Sequence, residues 1–118
     1  MAHSLQLFKM TGAIPVVLLH HIIMHEPAAY IVASDRNGTL YVGVTSDIGR
    51  RVYEHRKGVI PGFTKRYHYK VLVWFEFYES MIDAIAREKH IKGQSRKYKL
   101  RLIEDFNLEW NDLFETIA

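Results

Sequence analysis

Tyr41, Arg51 and His55 fall within one fifteen-residue stretch that runs from a strand end, through Gly43, into a basic helix. A phenol and an imidazole can exchange protons, and a guanidinium can hold an anion through two donors. Arg51 and His55 stand four apart, so on a helix both side chains project from the same side. Gly43 lies just before the turn; its missing side chain would let another backbone or a ligand approach, although a plain tight turn also calls for glycine. Farther along, Glu88 is the single acid among residues 87–101, which carry seven Lys/Arg. Residues 50–70 hold another seven against Glu54 alone, whereas residues 102–118 hold five acids and no base. Two basic blocks around an isolated carboxylate predict a polyanion-binding face, with the acidic tail turned elsewhere. The chain has no good hydrolase triad, P-loop or dinucleotide fingerprint.

These residues need strands and helices to position them. Ala28 to Ser34 and Thr39 to Val44 are short apolar runs rich in Val, Ile and Tyr, separated by Asp35-Arg36-Asn37-Gly38, a strong hairpin signal. A two-residue Asn37-Gly38 turn would set Ser34 opposite Tyr41, whereas a wider loop would bring Tyr30 opposite Tyr41. The Thr45-Ser46-Asp47 cluster supplies oxygens that can cap the helix carrying Arg51 and His55. Gly58, Pro61 and Gly62 mark a loop that ends in the basic aromatic string Phe63 to His68. Tyr69 to Phe77 reads as a third strand and the most buried one. Ser80 opens a helix with Ile82, Ile85, Ala86 and Lys89 at helical spacing, stopped at Gly93. Ser95 caps a further helix with Tyr98, Leu102, Ile103 and Phe106 as its apolar stripe, and Trp110, Leu113 and Phe114 close the core.

The 118 residues, 48% of them apolar, fit one domain. Without cysteine there is no disulfide, thiol nucleophile or thiolate-held zinc, which suits a reducing, cytoplasmic setting. Residues 1–27 read as an apolar, loosely docked N-terminal extension, and residues 28–118 as the compact domain. The extension's apolar run is too short to span a bilayer, and Pro15 breaks it. His20, His21 and His25 lack companion ligands and are assigned no function.

The hairpin with Tyr30 and Tyr41, the helix with Arg51 and His55, and Glu88 on a later helix together resemble the GIY-YIG nuclease family. Its first motif appears as Ala28-Ala29-Tyr30, with only the tyrosine kept, and its second as Tyr41-Val42-Gly43. The strings Gly38 to Thr45, Gly62 to Tyr67 and Ala86 to Gly93 are similar to the small, stand-alone bacterial branch of that family. The resemblance covers about residues 28–110. It implies an α+β fold, a three-stranded antiparallel sheet flanked by helices. It also implies a metal-dependent endonuclease acting on nucleic acid, DNA before RNA, in repair or processing.

On that resemblance, Tyr41, or Tyr30 beside it, takes a proton from water, and Arg51 offers a cation that favours phenolate and contacts the phosphate. His55 relays the proton or orients the phosphate. Glu88 holds one Mg²⁺ or Mn²⁺ whose waters complete the shell. Lys65, Arg66, Lys92, Arg96 and Lys97, with Phe63, Tyr67 and Tyr98 interleaved, suit phosphate contacts and stacking. Singly, each residue has a plainer reading: Glu88 pairing with Lys92 four residues on, amphipathic strand tyrosines, a solvated helix face. A non-catalytic binding module on the same fold is the alternative function.

Overall fold

A computed structural model describes residues 26–58 and 71–116. The extension up to His25, with its three histidines, and the segment carrying Phe63, Lys65, Arg66 and Tyr67 lie outside the described residues.

Six main elements follow one another: β1 (Ala28–Ala33), β2 (Leu40–Thr45), α1 (Ile48–Lys57), β3 (Val71–Phe77), α2 (Met81–Lys92) and α3 (Arg96–Phe106). A short 3-10 turn, Leu113–Thr116, follows. The strands form one antiparallel sheet in the order β2-β1-β3, giving the expected α+β architecture. All six residues of β1 are buried, whereas Val71, Glu76 and Phe77 of β3 are partly exposed. The most buried strand is therefore β1, not β3. The central place of β1, paired on both edges with β2 and β3 and packed against by α1 and α2, is what buries it.

The β1–β2 hairpin takes neither expected register. Ser34 N donates to Thr39 O at 3.0 Å and Gly38 N to Asp35 O at 2.9 Å, closing a four-residue turn from Asp35 to Gly38. Val32 then pairs with Tyr41, and Tyr30 with Gly43. Only Asn37 of the Asn37-Gly38 pair adopts a positive φ, 57°, so the two left-handed residues of the tightest hairpin turn are not formed. Ser34 Oγ also accepts from Thr39 N at 3.0 Å and helps close the wider loop.

Between Ile31 and Val32 the β1–β3 register slips, leaving Val73 as a bulge. Its carbonyl accepts from Nδ2 of buried Asn107 at 3.2 Å, and Leu72 N donates to Asp112 Oδ1 at 3.2 Å. Asp112 also pairs with Arg56 of α1. Backbone groups freed by the bulge and the open strand edge thus find side-chain partners.

Asp47, Ser80 and Ser95 cap the three helices as their types require, accepting from Arg50 N, Asp83 N and Tyr98 N respectively. Gly58 ends α1 at φ 68°. The buried face of α2 is Ala84, Glu88 and Ile91, not the stripe beginning at Ile82, which is 79% exposed. Glu88 therefore occupies a core-facing position of its helix.

Candidate active site

Because Tyr30 stands opposite Gly43, its ring can lie across β2. A β-carbon on Gly43 would come within 2.4 Å of the Tyr30 hydroxyl and 2.8 Å of its ring edge. Close approach explains this glycine. The passage ends at His55 of α1, with Tyr30 Oη 2.7 Å from His55 Nε2. Tyr41, two residues earlier on β2, completes a triangle of rings: its centroid lies 5.0 Å from His55 and 6.4 Å from Tyr30. Tyr30 and His55 are each only 1% exposed, whereas Tyr41 is half-buried.

Burial sets the protonation of this cluster. It raises the Tyr30 phenol well above the ordinary range; Tyr41, Glu54 and Glu88 push the same way, and Arg51 opposes them. It lowers His55 to about 4, with the Arg51 cation adding to the shift. His55 is therefore a neutral imidazole at neutral pH, and its Nδ1 has no hydrogen-bond partner among the described residues. Tyr30 remains a protonated phenol.

Arg51, one helical turn before His55, keeps a side chain 40% exposed and pairs with Glu54, Nε to Oε1 at 3.6 Å. Arg50 reaches the other oxygen of Glu54 at 3.4 Å. Beside them lies a polar concavity of about 180 Å³ lined by Thr45, Ser46, Asp47, Arg50, Arg51 and Glu54. Glu88 is 8% exposed, and Lys92 Nζ contacts its Oε2 at 2.6 Å. The helix α2, which carries Glu88 on its buried face, packs against β1 and β2, the strands of Tyr30 and Tyr41, and the Glu88 carboxylate adds to the upward push on the Tyr30 phenol.

Tyr30, Tyr41, Gly43, Arg51, His55 and Glu88 thus gather in one region, with Lys92 attached through Glu88. Arg96 is exposed and engaged at the hairpin turn: its Nη2 donates to the carbonyls of Asn37 and Gly38, each at 2.9 Å, fastening α3 to it. Lys97 is exposed on α3, and Tyr98 accepts from Arg87 Nη1 at 3.3 Å. Glu54, the partner of both α1 arginines, was not singled out in the sequence, although its three- and four-residue spacing from them is the signal for such pairs.

Among the described residues, no group of three or more His, Cys, Asp or Glu could hold a metal ion. A lone carboxylate nonetheless suits a hard, strongly hydrated cation that keeps most of its waters. Glu88 brings one carboxylate with no cluster of companion ligands around it among the described residues, so the donor set fits such an ion and not a closed zinc site.

The family description "GIY-YIG catalytic domain" matches residues 26–101. The chain belongs to the GIY-YIG family, a nuclease-type family. Among its relatives are proteins described as UPF0213 proteins of Staphylococcus aureus strains Mu3, Mu50 and N315. Each is 40% identical over 82 residues, covering 70% of this chain and 99% of the relative. Those relatives therefore consist of little beyond this one domain, in line with the stand-alone branch. No solved structure matches.

Proposed function

We propose that this chain is a divalent-metal-dependent endonuclease that hydrolyses phosphodiester bonds of nucleic acid, DNA in preference to RNA. The observation that carries this reading is the convergence, in a member of a nuclease-type family, of the Tyr30–His55 pair, Tyr41, Arg51 and the core-facing Glu88. Glu88 would hold Mg²⁺ or Mn²⁺, which when bound offsets negative charge growing on the phosphate and the leaving oxygen.

Tyr41 is the phenol that takes the proton of the attacking water, because it is half-exposed whereas Tyr30 is sealed and held protonated. Arg51 exchanges Glu54 for the phosphate and stabilises its charge through two donors. His55, buried and neutral, acts on the tyrosines and not on the phosphate; it fixes the Tyr30 hydroxyl and packs against the Tyr41 ring. Lys65, Arg66 and Lys97 would meet flanking phosphates. The catalytic unit would be residues 28–118, working in the cytoplasm in DNA repair or processing; among the described residues no helix is long and apolar enough to cross a membrane.

Incubation of purified protein with labelled DNA and RNA panels, with and without Mg²⁺ or Mn²⁺, tests the reading. Cleavage that requires the ion is expected. A second reading, a non-catalytic binding module, draws on the Lys92 ammonium already sitting on Glu88. It predicts binding without cleavage under every metal condition.

A further inference from the structure

We propose that Lys92 couples metal binding to substrate binding: it holds Glu88 until a phosphate draws its ammonium away, so that nucleic acid and the divalent ion each strengthen the other's binding. This rests on the metal-dependent reading of the site above.

The Glu88 side chain is 11% exposed and that of Lys92 51%, with Nζ 2.6 Å from Oε2. A buried carboxylate is thus capped by an ammonium whose tether reaches into solvent. Removing water from a carboxylate without supplying a partner is unfavourable, and Lys92 supplies one. The same contact opposes a metal, because a divalent ion arriving at Glu88 meets a like charge at close range. Lysine is suited to giving way: its ammonium is a point charge on a flexible four-carbon stem and can exchange one oxyanion for another by rotation.

A phosphate arriving at this end of α2 would find Lys89 and His90 exposed in the same last turn. Arg87 is less able to serve, being engaged with Glu76 at 3.4 Å and with Tyr98. When Lys92 moves to the phosphate, Oε2 becomes available to the ion and the repulsion between the two cations falls. Linkage makes the effect reciprocal, so whatever factor nucleic acid adds to metal affinity, metal adds to nucleic-acid affinity.

The test uses the full chain carrying Tyr41→Phe, to prevent turnover, and measures Mn²⁺ binding by electron paramagnetic resonance of the free ion. Titrations are run alone and with saturating short duplexes of DNA or RNA. The parent should bind Mn²⁺ roughly fivefold or more tightly with duplex present. Lys92→Met should bind Mn²⁺ more tightly than the parent in the absence of duplex and lose most of the gain on adding it, while Lys92→Arg should retain part of the gain. An equal gain in parent and Lys92→Met, or weaker Mn²⁺ binding by Lys92→Met alone, overturns the coupling. Mn²⁺ bound by neither protein, or bound undiminished after Glu88→Gln, would instead remove the metal reading of the site and this inference with it.

Discussion

Tyr30 Oη lies 2.7 Å from His55 Nε2, and the ring that makes this contact passes where a side chain on Gly43 would have to stand. One strand, one helix and one missing β-carbon therefore define a single arrangement.

Gly43→Ala should break that arrangement. The added methyl would sit 2.4 Å from the Tyr30 hydroxyl, so the ring must leave His55 or the strands must part. Overpacking of this kind costs about 1–3 kcal/mol. Urea denaturation should register the loss and cleavage should fall; wild-type stability with wild-type cleavage would show that the close approach is dispensable.

The two tyrosines should respond differently to loss of the hydroxyl. Tyr30→Phe leaves His55 Nε2 without its partner in a buried site and should destabilise by about 1–3 kcal/mol. Tyr41→Phe keeps the half-buried ring and should leave stability and nucleic-acid affinity close to wild type while abolishing cleavage. Parallel melting and single-turnover assays separate the effects. Full cleavage by Tyr41→Phe would move the proton-accepting role to another group.

Much of this was legible in the sequence where the signal is local. Asp47, Ser80 and Ser95 cap helices through hydrogen bonds made within three residues, and such bonds depend on little else. Tyr30, Tyr41, Arg51, His55 and Glu88 could be nominated as a set through the family resemblance that their types and order carry. Long-range packing was less accessible. The hairpin register depends on how Ser34 and Thr39 close the turn and on Arg96 gripping its carbonyls from 58 residues away. The burial of β1 comes from its pairing with both β2 and β3, a long-range arrangement that hydrophobicity does not rank. The buried face of α2 was misjudged because its middle position is occupied by Glu88, so the apolar stripe is interrupted at the residue of greatest interest.

Stability should depend on acid through His55. Its folded value of about 4 lies below the ordinary 6.5, so between these values the unfolded chain binds a proton that the folded chain does not. The contribution is complete above pH 6.5 and is lost as pH falls toward 4, with a slope of about 1.4 kcal/mol per pH unit from this group. In urea titrations across that window, His55→Gln should be less acid-sensitive than wild type. Equal slopes for both proteins would contradict a buried neutral imidazole.

Arg96 and Lys97, adjacent in sequence, should separate structure from binding. Arg96→Ala removes hydrogen bonds to two turn carbonyls and should lower stability by about 1 kcal/mol. Lys97→Ala should leave stability unchanged and reduce the slope of log affinity against log salt by about one unit, as should Lys65→Ala. Affinity that ignores salt in the wild type would count against a phosphate-led face.

The central claim is most directly tested by Glu88→Gln, measured for cleavage and for binding on the same nucleic acid in Mg²⁺ or Mn²⁺. The substitution preserves size and removes the charge at a core-facing position of α2. If Glu88 holds the ion, cleavage is abolished while the fold persists and nucleic-acid affinity stays level or rises slightly, one repulsive carboxylate having gone. A Glu88→Gln protein that cuts as fast as wild type would contradict the account.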